Sequence, residues 1–277
     1  MLGTGNVSTV SGGDTTLAGA VVSGNSVSTI AGGNLNIVSR QDTATYDEKT
    51  LGASLGFSNL TGVSGGVQVG KTKGTYANVA EQSGIVAGDG GYHVTAGGNV
   101  GLIGGVIAST ADPAKNDLTA SSLTFSNLEN TSEASTSSYG FSLTPGGLPV
   151  PSIGQPAKQS DTGAALATLT PGKLTLSHQT QDLASLNTDL SKANDTVKPF
   201  DIDKLKAQQQ SAAALSQLAN IAIGDIATHF NLPEGGVEKT ALHAAAGALT
   251  ALVAGGNVGT GALAISYGAG AREDIRR

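Results

Sequence analysis

Residues 12–37 read GGDTTLAGAVVSGNSVSTIAGGNLNI, and this stretch decides the fold. A Gly-Gly-Asp begins it at 12–14, and a Gly-Gly-Asn follows twenty residues later at 32–34. Short runs of alternating apolar residues lie between and after them. Alternation interrupted by Gly-Gly and Gly-Asn predicts short strands joined by tight turns. Glycine supplies the positive φ that we expect at the corners, and asparagine tolerates the same conformation.

A related stretch returns at 97–109 as GGNVGLIGGVIAS, which matches residues 12–24. The identical pairs are Gly12/Gly97, Gly13/Gly98, Leu17/Leu102, Gly19/Gly104 and Val21/Val106. Self-similarity with a period of about twenty residues is typical of a solenoid, in which one unit stacks on copies of itself. We therefore predict a β-solenoid over residues 1–143. Stacking places like residues above one another, so Asn34 and similar turn residues are expected to form hydrogen-bonded ladders.

The composition fits thin stacked coils better than a thick globular core. The 277 residues include 40 glycines and no tryptophan, and aromatic residues make up only 4%. The net charge of −6 argues against a phosphate-binding surface, which needs clustered lysine and arginine, so no nucleic-acid partner is expected. The absence of cysteine excludes disulfides, thiolate metal sites and thiol nucleophiles.

Two segments depart from the twenty-residue rhythm. Residues 46–85 hold two alternating apolar runs around a Gly/Ser-rich turn, which predicts a hairpin arm projecting from the solenoid. The rhythm resumes over 86–137, and residues 139–143 are expected to begin a second, shorter arm. Residues 144–175 contain five of the eight prolines and are predicted to be a Gly/Pro-rich linker.

The pattern becomes helical in the last segment, residues 176–277. Four leucines recur at helical spacing, namely Leu176, Leu183, Leu186 and Leu190. Pro199 with Asp201 or Asp203 predicts the start of the next helix, and residues 231–236, NLPEGG, predict its end. Residues 237–254 and 258–271 are then predicted to form a close helical hairpin, because their alanines and glycines permit close approach.

Two short motifs match known catalytic or nucleotide-binding patterns. Residues 65–72, GGVQVGKT, fit the phosphate-loop pattern with Lys71 as its lysine, but no amphipathic helix follows them. Residues 62–66, GVSGG, fit the G-x-S-x-G pattern, but the required strand–turn–helix context is missing. A Gly-rich hairpin turn is the preferred interpretation of both matches.

Histidines and acids suggest no active site. The four histidines, His93, His178, His229 and His243, are scattered and lack the spacing of zinc ligands, so structural roles are expected. Asp14 and Asp89 lie in Gly-rich turns without the nine-residue period of calcium-binding repeats, and turn-forming roles are expected. We therefore predict no catalytic, cofactor-binding or metal-binding residues.

Several longer motifs carry a family resemblance. They are GGD…LAGAV and GGNLNI in the first coils, GDGGYHV at 88–94, and LIGGVIASTADPAKNDLT…LTFSNLEN at 102–130. They resemble the haemagglutinin repeats of two-partner-secretion exoproteins, the filamentous haemagglutinin and contact-dependent growth inhibition class. The second half resembles the segment after these repeats, from Gln181-Asp182-Leu183 through Phe200-Asp201 to Lys204. LHAAAGALTALVAGGNVGTGA at 242–262 is similar to the helices that precede the toxin in that class.

The resemblance implies a right-handed parallel β-helix in a secreted protein of the bacterial cell surface. It implies a non-enzymatic stalk or adhesin that delivers a toxin. An outer-membrane two-partner-secretion transporter would export the full-length protein, and the target-cell outer membrane or a receptor would be its partner. The first residues start within a coil pattern and the last is Arg277, so we expect a piece without the family's secretion domain and toxin.

Alternatives remain open from the sequence. A pectin-lyase-like β-helix enzyme acting on polysaccharide would share the solenoid, but it needs a cleft lined by carboxylates and basic residues. The helical pair at 237–271 is expected to pack as a small bundle, with membrane insertion during delivery as the alternative.

Overall fold

The computed structural model describes residues 3–58, 62–143, 150–233 and 236–253. Within these residues the chain forms fifteen strands and two α-helices. The strands are β1 (Asn6–Ser11), β2 (Thr15–Ala18), β3 (Val21–Ala31), β4 (Leu35–Val38), β5 (Asp42–Ser58), β6 (Gly62–Asn78), β7 (Gly84–Ala96), β8 (Asn99–Ile103), β9 (Val106–Ser109), β10 (Asp117–Ala120), β11 (Ser122–Ser126), β12 (Leu128–Leu143), β13 (Val150–Ala165), β14 (Thr168–Leu169) and β15 (Lys173–Leu176). The helices are α1 (Ile202–His229) and α2 (Val237–Val253).

Two sheets consist of parallel strands. The first runs β1-β3-β7-β10-β15, with β9 beside β7 and β14 beside β9, and the second runs β2-β4-β8-β11. Asn6 lies opposite Ser26 and Thr15 opposite Leu35, so the first two rungs of each sheet are twenty residues apart. The predicted period is thereby confirmed for the first two rungs of each sheet. Later rungs are further apart in sequence, since Val27 lies opposite Tyr92 and Leu118 opposite Leu174. The fold is mostly β with parallel sheets and two helices, an arrangement consistent with a β-helix.

The apolar residues of these two sheets form one continuous core. In β3, Val27, Thr29 and Ala31 are buried while Ser28 and Ile30 face outward, as the two-residue period of a strand requires. The fully buried aliphatic residues of this core include Leu35, Ile37, Ile85, Val94, Val100, Leu102, Ile107, Leu118 and Leu123. Each such side chain contributes roughly 1.5–3 kcal/mol relative to exposure.

The third sheet has the order β13-β12-β6-β5. Its strands β5 and β6 are 17 residues each and occupy the place where the sequence predicts a hairpin arm. Asp47 pairs with Lys73, and Gly70 lies against Thr50, so residue numbers rise on one strand as they fall on the other. This is the antiparallel arrangement that a short connection permits.

Residues 144–175, expected to be a linker, contain three strands, of which β13 is 16 residues long. Pro151 and Pro156 lie within β13, which is the edge strand of its sheet. An edge strand tolerates proline because the missing N–H removes no ladder bond when that side faces away from the neighbour. Proline content alone therefore misidentified this segment. The second predicted arm corresponds to β12, which continues through 139–143.

The predicted helix through the leucines at 176–190 is wrong. Leu176 ends β15, and Leu190 begins a three-residue 3₁₀ helix. Between them, side chains bond to the backbone two residues ahead: Asp182 accepts from Ala184 N–H at 3.0 Å, and Asn187 accepts from Asp189 N–H at 3.2 Å. Such local side-chain bonds compete with helical backbone bonds.

The predicted boundaries of the next helix are confirmed. The Asp201 carboxylate accepts from Lys204 N–H at 2.9 Å, which caps the start of α1. At its end Asn231 has a φ of 51°, and Leu232 N–H donates to the Ala227 carbonyl at 2.8 Å. This is the Schellman arrangement, with asparagine in the left-handed position. The helix predicted at 258–271 lies outside the described residues.

The chain divides into two compact units. The first comprises Met1–Ala44, Tyr76–Ser132 and Asp161–Lys198, and contains the two parallel sheets. The second comprises Thr45–Thr75, Glu133–Ser160 and Pro199–Arg277, and contains most of the third sheet with α1 and α2. Of the helices that the structure describes, none combines the length and the apolar character that a bilayer crossing requires.

Candidate interaction surface

A ladder of polar side chains joins the rungs at one corner of the first unit. Asp14 Oδ1 accepts from Asn34 N–H at 2.7 Å, and Asn34 Oδ1 accepts from Asn99 N–H at 2.8 Å. The Ser122 hydroxyl then donates to Asn99 Oδ1 at 2.9 Å. Each rung thus satisfies a backbone or hydroxyl donor of the next. The ladder predicted at Asn34 is confirmed.

The glycine corners beside this ladder are required by close approach. A Cβ at Gly32 would lie 2.4 Å from the Gly12 carbonyl oxygen, and one at Gly97 would lie 2.3 Å from the Gly32 oxygen. The expected positive φ is found instead at Gly19 (64°) and Gly104 (54°), which are equivalent in the repeat. Stacking distance fixes the Gly-Gly pairs because the backbone of one coil rests directly on the next.

The outer face of the second sheet carries a shallow groove of about 260 Å³. Asn36, Gly101 and Thr124 lie side by side on adjacent rungs, and Gly101 leaves the space between the two polar side chains. Val38 and Ile103 form its apolar border. The described residues that line the groove are polar or apolar but not titratable. They can exchange hydrogen bonds with a partner, and they offer no general acid or base.

In the second unit, α1 packs on one face of the third sheet. Leu205 of α1 is fully buried and forms an apolar cluster with Ala134 and Ala157 of the sheet. Phe200 and Ile202 pack against this cluster. The Thr136 hydroxyl donates to Gln209 Oε1 at 3.0 Å, which adds a polar contact within this interface. A small apolar centre and a polar surround hold the helix on the sheet.

A charged cluster anchors the same helix. Lys206 Nζ lies 2.6 Å from Glu48 Oε2 and 5.8 Å from the centre of the Tyr46 ring, and the Tyr46 hydroxyl also contacts Glu48. Hydrogen bonds from Lys206 and then Tyr46 lower the pKa of Glu48. The Glu48 hydrogen bond raises the pKa of Lys206. Both groups are therefore stabilised in their charged forms.

Both motif matches lie in a strand. Residues 65–72 belong to β6, whose neighbours are β5 and β12, and Lys71 is exposed there. A phosphate loop needs successive N–H groups converging at a helix start, whereas β6 presents them alternately to its two neighbours. Residues 62–66 begin the same strand, so the strand–turn–helix of a nucleophile elbow is not formed there.

The four histidines lie in separate places. His93 Nδ1 contacts the Asp117 carboxylate of the next rung, and His178 Nδ1 lies 2.9 Å from the Ser177 hydroxyl. His229 packs edge-on against Phe230 with ring centres 4.9 Å apart, and His243 lies on α2. Among the described residues, no group of three potential metal ligands comes together.

Asp14 and Asp89 contact different residues and do not form a common site. Asp14 belongs to the corner ladder, while Asp89 Oδ1 accepts from the Thr110 hydroxyl at 2.9 Å. The Asp89 carbonyl additionally accepts from Lys115 Nζ at 2.9 Å. Each acid thus bonds residues of a neighbouring coil, and Asp89 itself lies in β7 rather than in a turn.

Two sets of interacting side chains were not identified from the sequence. One is the Glu48–Lys206 pair, whose members are 158 residues apart. The other is Gln179 and Gln181, whose amides bond the backbone of β11. Their two-residue spacing is the available signal, because it predicts side chains on one side of an extended segment.

Comparison with known proteins places this arrangement in a family. The haemagglutinin repeat family model matches residues 2–53. A tRNA nuclease CdiA of Escherichia coli O6:K15:H31 is 37% identical over 238 residues, which cover 78% of this chain. The chain belongs to the haemagglutinin-repeat exoproteins of the contact-dependent growth inhibition class. Proteins of this family are secreted and exposed at the bacterial surface, and that localisation holds for this chain.

Other relatives have different printed activities over a similar alignment. A tRNA nuclease CdiA of Yersinia mollaretii is 35% identical over 231 residues, and a deoxyribonuclease CdiA of Dickeya dadantii is 33% identical over 238 residues. These alignments cover 79% and 76% of this chain but only 8% and 7% of the relatives, and the Escherichia coli alignment covers 7%. The chain thus spans less than a tenth of the length of these relatives. No solved structure matches it.

Proposed function

We propose that this chain is a non-enzymatic stalk or adhesin segment of a secreted toxin-delivery protein, with its parallel sheets wound as a right-handed β-helix. The observation that carries the proposal is the twenty-residue parallel register with glycine corners and an amide ladder. In such a stack each coil contacts only its neighbours, so adding coils adds length. That property suits a protein whose role is to extend between cells.

The relatives' printed activities fit this assignment. Relatives called a tRNA nuclease and a deoxyribonuclease align with the same part of this chain, so the shared segment is common to proteins with different nuclease names. A segment shared in this way serves delivery rather than nucleic-acid cleavage. We assign residues 1–143 to the repeat region, and residues 176–277 to a region like the one preceding the toxin, with α2 packed on α1 in the resting protein.

The partners follow from the family assignment. For the full-length protein they are an outer-membrane transporter of the two-partner-secretion type and the outer membrane or a receptor of the target cell. The groove around Gly101 is the contact surface that we favour on the first unit, because its amide, hydroxyl and aliphatic groups complement a neutral polar surface.

A chimaera tests the stalk role. The aligned region of the Escherichia coli relative is replaced by this chain, and growth inhibition of target cells is measured with and without the substitution Gly32→Ala. Because the added Cβ would clash with the Gly12 carbonyl, we expect this variant to lose delivery, whereas Gly12→Ala, with open space at its Cβ position, retains it. Equal inhibition by both variants, or full inhibition after deleting the segment, contradicts the proposal.

A degradation assay tests the enzyme alternative. The purified chain is incubated with bacterial and plant polysaccharides, and newly formed reducing ends are counted. We expect no release, because Asp14 and Asp89 each hold a neighbouring turn rather than a shared cleft. Release that is lost in Asp14→Asn or Asp89→Asn would replace the stalk with a polysaccharide-acting enzyme.

A further inference from the structure

We propose that Gln179 and Gln181 terminate the second parallel sheet, and that they prevent its last strand, β11, from pairing with a second copy of this chain. The proposal goes beyond the stalk function because it concerns where the stack ends and what that end excludes. It rests on the path of the last coil, on five hydrogen bonds and on the unpaired groups that their loss would create.

The last coil begins as an ordinary rung. In β15, Lys173 lies opposite Asp117 and Leu174 opposite Leu118, so the backbone pairs with β10 at an offset of 56 residues. The corner continues this register, because His178 N–H donates to the Ser121 carbonyl at 2.7 Å. Nothing up to this point distinguishes the coil from those before it.

The backbone ladder is then replaced by side chains. Gln179 faces Leu123 and Gln181 faces Phe125, again 56 residues apart, so the segment still runs parallel to β11. Leu123 N–H donates to Gln179 Oε1 at 2.7 Å, and Gln179 Nε2 donates back to the Leu123 carbonyl at 2.8 Å. The corresponding distances between Phe125 and Gln181 are 2.9 and 3.0 Å.

The two side-chain amides therefore make the hydrogen bonds that two backbone peptide groups of a neighbouring strand would make. Together they satisfy both the N–H and the C=O of Leu123 and Phe125 that point away from β8. Gln179 Nε2 also donates to the backbone carbonyl of Gln181 at 2.7 Å, which holds the Gln179 side chain against its own segment. A full backbone strand here would satisfy the same groups but would present a new open edge to solvent. The side-chain amides pair with these backbone groups and do not create a further strand edge.

The segment that follows covers the end of the core. Leu183 and Leu186 are partly buried and pack against the apolar cluster of the parallel sheets. Along the last coil, a strand is thus followed by two glutamines that bond the edge of β11, and then by leucines that pack on the end of the core. This sequence of roles suits the end of a stack rather than its continuation.

The excluded partner is a second copy of the same chain. Without the amides, Leu123 and Phe125 would each expose an unpaired donor and acceptor on one edge. Such an edge is self-complementary, because two antiparallel strands related by a two-fold axis exchange N–H···O=C bonds between the same residues. Since β11 has only five residues, the resulting association is weak and concentration-dependent.

The experiment uses the full chain with Gln179→Met and Gln181→Met combined. Methionine has a length similar to glutamine but no amide. Sedimentation over a wide concentration range, together with hydrogen exchange at the amides of residues 123 and 125, reports association and edge protection. We expect the mass to rise toward twofold with concentration, and exchange at both amides to accelerate at least tenfold in the dilute protein.

Two further variants make the result specific. Thr180→Leu adds apolar surface to an exposed position between the two glutamines, and it is expected to behave as the unsubstituted chain. Ser126→Lys in the doubly substituted background places like charges on β11, and it is expected to abolish the association. If the double variant does not fold by circular dichroism, Gln181→Met alone is expected to accelerate exchange at residue 125 and not at 123.

The proposal is overturned by protected amides in the double variant, or by an unchanged mass. It is equally overturned if Ser126→Lys leaves the association intact, because the contact would then lie elsewhere on the molecule.

Discussion

A single buried hydroxyl shows how closely the coils are fitted. Tyr92 is almost fully buried, and its hydroxyl donates to the Thr170 carbonyl at 2.7 Å. Burial raises the pKa of Tyr92 to about 12. The raised pKa means that the folded state holds this proton more tightly than the unfolded state, where the ordinary value of 10.0 applies. Stability from this group is complete below pH 10 and is lost as the pH rises toward 12.

We expect Tyr92→Phe to remove that alkaline sensitivity. The free energy of unfolding should fall by about 1 kcal/mol at pH 7, because the Thr170 carbonyl loses its partner. Between pH 10 and 12 the unsubstituted chain should lose on the order of 2 kcal/mol that the variant does not. Urea unfolding at several pH values measures both. Equal pH slopes for the two proteins would show that Tyr92 is not the buried titrating group.

The glycine corners allow a matched pair of substitutions. Gly32→Ala should lower the free energy of unfolding by about 2 kcal/mol or more, because its Cβ would meet backbone atoms that cannot move independently. Gly12→Ala has no atom within 4 Å of the added carbon and should stay within about 0.5 kcal/mol of the parent. Thermal unfolding compares the two variants. Similar losses in both would mean that chain flexibility, not close approach, selects glycine here.

At the scale of elements, the contact between Glu48 and Lys206 predicts that the docking of α1 on the third sheet depends on pH. The lowered pKa of Glu48 gives stability that is present above its ordinary value of 4.5 and is lost as the pH falls through the lowered value. We expect Glu48→Gln to accelerate hydrogen exchange in the first turns of α1 at pH 7 and to flatten its acid dependence. Asp47→Asn is the control, since Asp47 pairs with the exposed Lys73 on the sheet alone. An equal effect of both substitutions would contradict a specific anchor.

The elements divide into those that local signals predict and those that they do not. The strands of the repeats and the two helices follow from alternation, Asp201 and the NLPEGG stop, all of which act within a few residues. Strand β13 was missed because proline is unfavourable locally but tolerated at an edge, which only the sheet order reveals. Leu183 and Leu186 have the spacing of a helix, but they pack against the end of a core whose strands are distant in sequence.

The polar contacts of the candidate surface were also only partly predictable from the sequence. The Asn34 ladder could be expected because Asp14, Asn34 and Asn99 each follow a Gly-Gly pair of the repeat. The Lys206 anchor and the two sealing glutamines could not, since their partners lie 158 and 56 residues away. The offset of 56 arises because the third sheet's strands β12 and β13 are inserted between one coil and the next. Long insertions hide the register from any fixed-period comparison.

For the whole molecule, the division into two compact units predicts two separable unfolding processes. Gly32 lies in the first unit; Gly74 lies in the second, where a Cβ would come within 2.7 Å of the Phe200 ring. We expect Gly32→Ala to destabilise mainly peptides of the parallel sheets, and Gly74→Ala mainly those of α1 and the third sheet. Hydrogen exchange resolved by peptide, in low urea, distinguishes the two patterns. If either variant lowered protection equally throughout the chain, unfolding would be one cooperative process, and the units would be geometric groupings without independent stability.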